Sequence, residues 1–131
     1  MKRLSFVLVV VLISVLFFES CDKVKDLFDG KKEIQYRCTN ASGKTATVSY
    51  IGEDGGNVFV DLSPHQSWGE DLEFKKGDWV RIQAQSNAST GSLRIEIHCR
   101  GCKNIGMDSE KLSAVIDLSQ RNIVELSATI E

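Results

Sequence analysis

The clearest pattern in the chain is an alternation of apolar and polar residues that begins near Glu33. It places Ile34, Tyr36 and Cys38 on one side of the chain, and it recurs in the segments NVFVDLS, DWVRIQAQ, SLRIEIHC and IVELSATI. An apolar residue at every second position is typical of a half-buried β-strand, because successive side chains point to opposite faces of a sheet. The pattern therefore predicts an all-β domain.

Turn-forming segments divide this part of the chain into short pieces. ASGK, EDGG, KKGD, NASTG, RG and SQRN recur at roughly 8 to 15 residues, which is the spacing of a sandwich or barrel. Nine strands are predicted, near 33–39, 44–51, 57–63, 70–75, 79–86, 92–99, 102–107, 113–118 and 123–130. Nine strands are too many for one small open sheet, so we expect them to form two packed layers. A short helix within MDSEKLSAVIDL is the alternative for that one segment.

The N-terminal residues have the layout of a secretory signal. MKR is cationic, residues 4–18 are an apolar run, and Glu19 and Ser20 form a polar break. A helix of that apolar run would rise only about 22 Å, whereas the hydrocarbon core of a bilayer is about 30 Å thick. We therefore predict a signal peptide over residues 1–20, with an uncleaved anchor as the alternative.

The residue after this segment is a cysteine, and the junction resembles the lipobox of bacterial lipoproteins. Ser20 fits the small position and Cys21 the lipidated one, while Phe18 and Glu19 are similar to the looser boxes of Bacteroidetes. The resemblance implies that Cys21 carries lipid chains that anchor the protein in the bilayer of the cell envelope, most simply the outer membrane, on its periplasmic or surface face. The alternative is a cysteine that merely follows an ordinary cleavage site.

The rest of the chain divides into a tether and a domain. Residues 21–32 are charged and turn-prone and are predicted to hold the domain off the membrane, and residues 33–131 are predicted to form the β-sandwich. Without residues 1–20 the chain keeps 14 basic and 17 acidic side chains, a net charge of -3, with no basic run. Nucleic acid is therefore not an expected partner.

The middle of the chain resembles a second group, the small domains of the mycobacterial MmpS proteins. The resemblance rests on VSY, LSPHQSW, LEFKKGDWVRIQAQ and LRIEI, with Tyr50 on the second strand, Pro64 and Trp68 at a crossing loop, and Gly77 at a turn. It covers about half the chain and implies a single small immunoglobulin-like β-sandwich of eight or nine antiparallel strands. It brings no catalytic residues.

Motifs of enzyme chemistry are absent from the sequence. Its two histidines, His65 and His98, do not lie in a zinc-protease motif, and neither a nucleophile elbow nor a glycine-rich phosphate loop occurs. Adjacent Glu70 and Asp71 are expected to point to opposite faces of a strand, so they do not form a carboxylate pair. We therefore predict a protein that is not an enzyme and that needs no cofactor and no metal.

Aromatic residues instead favour a non-catalytic binding or adaptor module. Phe59 and Trp79 alternate with inward-facing valines, so they are expected on an outer surface unless a loop covers them in a second core. Exposed aromatic area favours binding of a partner. Trp68, Trp79 and His65 are the predicted ligand-binding residues, and the partner is an envelope protein or ligand that the sequence does not identify.

The motif CRGC gives the leading prediction for the thiols. Arg100 and Gly101 are expected to form a two-residue hairpin turn with Cys99 and Cys102 facing each other across it. A disulfide persists in the oxidising space outside the inner membrane, whereas a reduced zinc thiolate cluster is disfavoured there. We therefore predict a disulfide between Cys99 and Cys102.

Two alternatives to that disulfide remain. Cys38 alternates inward in the same way as Cys99, so a bridge from Cys38 to Cys99 or Cys102 through the core is possible. The other alternative is a metal or redox protein that uses the C-x-x-C at residues 99–102 together with His98.

Overall fold

The computed structural model describes residues 31–100, 102 and 111–130. The predicted signal peptide, Cys21 and nearly all of the tether lie outside the described residues, as do Gly101 and most of the predicted strand 102–107. Eight strands form: β1 (Lys32–Ala41), β2 (Ala46–Ile51), β3 (Asn57–Leu62), β4 (Ser67–Phe74), β5 (Trp79–Ser86), β6 (Ser92–Arg100), β7 (Lys111–Asp117) and β8 (Ile123–Thr129). The all-β prediction is confirmed.

The strands form two sheets of four. Sheet A has the order β4-β1-β6-β7 and sheet B the order β3-β2-β5-β8, and all neighbouring strands are antiparallel. One face of each sheet contributes to a common apolar core. The predicted small β-sandwich is therefore confirmed, with eight strands in the part of the chain that the structure describes. Within those same residues, no helix is long and apolar enough to cross a bilayer.

The residues that the alternation predicts to face inward form the core. Ile34, Tyr36 and Cys38 of β1 are almost fully buried, and Val48 and Ile82 of sheet B are buried in the same core. The hydroxyl of Tyr36 donates a hydrogen bond of 3.0 Å to the main-chain carbonyl oxygen of Ile51. This bond joins the two sheets and satisfies the polar end of a buried ring.

A buried asparagine closes one end of the core. Asn40 is fully buried, and its side-chain amide nitrogen donates to the carbonyl oxygens of Lys44, Leu62 and Ser63 at 2.8, 3.2 and 3.3 Å. Its side-chain oxygen accepts hydrogen bonds from the main-chain nitrogen and the hydroxyl of Ser42 at 3.1 and 2.6 Å. Asn40 therefore holds the end of β1, the turn after it and the end of β3 together.

The described strands follow the predicted ones closely, and the largest difference in a boundary is at the start of β4. The segment that had a helix as its alternative forms strand β7, with Leu112, Ala114 and Ile116 half-buried at every second position. Strand β4 starts at Ser67 rather than residue 70, because its first residues pair with β1, Ser67 lying opposite Thr39.

Candidate binding surface

The three predicted ligand-binding residues do not come together. His65 lies in the exposed turn between β3 and β4, Trp68 near the start of β4, and Trp79 at the start of β5. Strand β4 has 8 residues and separates His65 from Trp79, a distance of about 25 Å at the usual rise of an extended strand. His65 and Trp79 therefore belong to opposite ends of the sandwich.

Trp68 packs against the core. Its ring centroid lies 5.0 Å from that of Tyr50, which in turn lies 5.3 Å from the ring of Tyr36. Tyr36 also contacts the edge of Phe74 at 6.3 Å between centroids. Trp68 is half-buried at the end of this aromatic cluster, so its main contribution is to packing.

Phe59 and Trp79 are exposed, as the alternation of β3 and β5 predicts. Their exposed fractions are 70% and 50%, the first of these being the highest among the large apolar side chains described. Both side chains lie on the outer side of sheet B, about 16 Å apart by strand rise and spacing. Within residues 31–100, 102 and 111–130, no loop covers either ring, so these residues do not form the alternative second core over this face.

The surface between the two aromatics is polar, and its arginine is paired with a carboxylate. Phe59, Ser49 and Gln83 follow one another across β3, β2 and β5, and they line a shallow depression of ≈ 170 Å³. Arg81 donates to the carboxylate of Glu125 at 3.2 Å, and it also contacts Gln83. We call this surface, made of Ser49, Phe59, Trp79, Arg81 and Gln83, the sheet B outer face.

A second depression lies beside Trp79 at the end of the sandwich. It has a volume of ≈ 280 Å³ and is lined by Trp79, Phe74, Asp78 and the turn 52–55 after β2. Trp79 therefore has open space beside it as well as an exposed ring.

The outer face of sheet A is charged. Glu96 of β6 is only 9% exposed; its carboxylate accepts a hydrogen bond of 2.8 Å from Lys111 and lies 3.2 Å from Nε2 of His98. The hydrogen bond from Lys111 is the main reason that the pKa of Glu96 is lowered from its ordinary value. Alternation correctly places Glu96 outward, but its burial under longer neighbours is not visible in the sequence.

The geometry of the two cysteines agrees with the predicted disulfide between Cys99 and Cys102. The sulfur atoms of Cys99 and Cys102 are bonded, and their Cα atoms are 5.5 Å apart. Both residues are nearly fully buried, with exposed fractions of 2% and 1%. Since thiol exchange needs access to a sulfur atom, this burial argues against a redox function for the C-x-x-C.

Only the first residue of the predicted two-residue hairpin turn, Arg100, is described, and Gly101 lies outside the described residues. Arg100 is the last residue of β6, where it pairs with Glu33 of β1. The distance of 5.5 Å between the Cα atoms of Cys99 and Cys102 is within the range of a four-residue turn.

Cys38 is too far away for the alternative bridges. It lies opposite Ile95, whereas Cys99 lies opposite Ile34, which separates Cys38 from Cys99 by about 13 Å along the strands. Cys102, at 5.5 Å from Cys99, is then at least about 8 Å from Cys38, beyond the reach of a disulfide. Cys38 is a free, buried thiol, and burial raises its pKa to about 12.

Neither the metal-binding side chains of the described residues nor the comparisons with known proteins point to a function. Residues 31–100, 102 and 111–130 contain no group of three or more histidine, cysteine or carboxylate side chains that could hold a metal ion. No known protein-family model matches the chain, and no curated protein matches it significantly. The fold and its surfaces define the protein as a small β-sandwich with an exposed aromatic pair.

Proposed function

We propose that this protein is a non-catalytic binding module of the bacterial cell envelope. In this proposal it is a lipoprotein, anchored through Cys21, and it holds an envelope protein or ligand on the sheet B outer face. The observation that carries the proposal is the exposure of Phe59 and Trp79 on a rigid sheet. Aromatic side chains are enriched at binding hot spots, and a sheet fixes the backbone that carries them, which lowers the entropic cost of binding.

Burial of the two exposed aromatic side chains would supply enough free energy to support binding of a partner. Covering the exposed parts of Phe59 and Trp79 would contribute about 1 to 2 kcal/mol each, from the usual value for apolar burial. The polar groups of Ser49, Arg81 and Gln83 lie between them and supply donors and acceptors that fix orientation.

Support for the envelope comes from the sequence and the cysteines. The order of cationic segment, apolar run, Ser20 and Cys21 is that of a lipoprotein signal. The bonded pair Cys99 and Cys102 fits an oxidising compartment. Two observations of different kinds thus favour export.

Metabolic labelling tests the anchor. Cells that express the chain are grown with labelled palmitate, and wild type is compared with Cys21→Ala. We expect label in the wild type only; label retained in the variant, or a wild-type protein that is unlabelled and freely soluble, would contradict lipidation.

Affinity capture tests the binding surface. Wild type, Phe59→Ala and Trp79→Ala are used to capture partners from an envelope extract, with Val115→Ala as the matched control. Val115 is 55% exposed but lies on the outer face of sheet A. We expect the two aromatic variants to lose the captured species and the control to retain it; equal capture by all four proteins would contradict the proposed surface.

A further inference from the structure

Two arginines lie side by side on the outer face of sheet A. Arg37 is on β1, opposite Glu96, and Arg94 is on β6, opposite Thr39. The two residues are therefore diagonal neighbours on adjacent strands, with side chains that start about 7 Å apart. Both strands are central in the sheet.

Neither arginine is neutralised within the part of the chain that the structure describes. Arg81 and Arg100 each lie near a carboxylate, at 3.2 Å from Glu125 and 3.6 Å from Glu33. Arg37 and Arg94 have no ion pair and no side-chain hydrogen bond to a described residue. The carboxylate nearest in register, that of Glu96, is already held by Lys111 and His98.

The two arginines line a depression of ≈ 370 Å³ that also has hydroxyl groups. The hydroxyl oxygens of Thr39 and Ser67, both in its lining, lie 3.2 Å from each other. Gly69 lies opposite Arg37 on β4, where a residue with a side chain would occupy this space. A Cβ added there would make only ordinary contacts, 3.4 Å from the carbonyl oxygen of Tyr36 and 3.7 Å from Cγ of Arg37. The fold thus does not require glycine, and its effect is to keep the depression open.

We infer that this depression, the Arg37–Arg94 groove, binds a phosphate group. Two guanidinium groups that line one depression can donate charge-assisted hydrogen bonds to the same oxyanion, and the hydroxyls add neutral donors. The negative charge of Glu96, which also lines the groove, is balanced by Lys111. The groove lies on the sheet opposite to the sheet B outer face, so this inference does not depend on the proposed function.

Titration of the full-length chain in a non-ionic detergent tests the groove. The probes are inorganic phosphate and glycerol phosphate at low salt, and the readouts are the NMR signals of the Arg37 and Arg94 side-chain N–H groups and of the Gly69 amide. We expect saturable shifts of these signals. Arg37→Gln and Arg94→Gln should each weaken binding about tenfold, because each removes charge-assisted hydrogen bonds.

Two further variants distinguish binding in the groove from general attraction of phosphate to positively charged side chains. Gly69→Leu keeps both arginines but fills the groove, and it should also weaken binding about tenfold. Arg121→Gln removes the same charge from the exposed turn before β8 and should leave the affinity unchanged. If both probes bind, the groove recognises the phosphate group alone. If only glycerol phosphate binds, the groove recognises the phosphate together with the organic group attached to it. Absence of shifts with both probes, or an equal loss in Arg121→Gln, would overturn the inference.

Discussion

Replacement of Asn40 by alanine should remove a large part of the stability of this small domain. The amide donates to three carbonyl oxygens and its oxygen accepts from Ser42 twice. The two donor hydrogens and the acceptor oxygen correspond to about three hydrogen bonds, each worth about 1 kcal/mol net. We therefore expect the free energy of unfolding to fall by about 3 kcal/mol, of the order of half the stability of a marginal domain.

The sequence contains its own control for this substitution. Asn40 and Asn87 both begin the tripeptide Asn-Ala-Ser, but Asn87 is exposed whereas Asn40 is fully buried. Urea unfolding followed by tryptophan fluorescence, on chains that begin at Asp22, should show a change below about 0.5 kcal/mol for Asn87→Ala. A loss in Asn40→Ala as small as in Asn87→Ala would contradict the stabilising role of Asn40, because it would mean that water or local rearrangement replaces the whole network.

Three further predictions use the same chain. Trp68→Ala should cost about 3 kcal/mol of unfolding free energy, as for an emptied packing site, whereas Trp79→Ala should cost under about 1 kcal/mol; similar values for both would contradict the assigned roles. The carboxyl pKa of Glu96 is lowered in the folded state, so its stabilisation is present above the unfolded value of 4.5 and is lost as pH falls through the folded value. Urea unfolding between about pH 5 and pH 3 should therefore show a shallower loss in Glu96→Gln than in wild type, and identical pH profiles would count against it. Cys38, with a pKa raised to about 12, should resist alkylation in the native protein and react after denaturation; mass spectrometry that finds it labelled in the native state would disagree with its burial.

The fold could be predicted because its signal is periodic and local. The alternation through Ile34, Tyr36 and Cys38 gives the buried face of β1 directly, and the same holds for the outward positions of Phe59 and Trp79. Which strands become neighbours depends on long-range pairing, which one-dimensional alternation does not contain. The end of β6 is an example, since Arg100 belongs to this strand through its pairing with Glu33 of β1.

The candidate sites also combine features that are local in the sequence with features that depend on strand pairing. Trp68 and Trp79 are the same residue type and both begin strand segments, yet only pairing and packing reveal that the first contacts Tyr50 and the second is exposed. Arg37 and Arg94 are 57 positions apart by their numbering, and only the register of β1 with β6 brings them together. Asn40 lies in a sequon-like tripeptide that has no visible sign of burial.

Radical footprinting of the protein in an envelope extract tests the proposed binding surface most directly. Phe59, Trp79 and Val115 are all at least half exposed, at 70%, 50% and 55%, so each should be oxidised in the isolated protein. The first two lie on the sheet B outer face and Val115 on the outer face of sheet A. We expect the extract to reduce oxidation of Phe59 and Trp79 and to leave that of Val115 unchanged. Protection of Val115 instead, or no protection of either aromatic, would contradict the proposed binding surface.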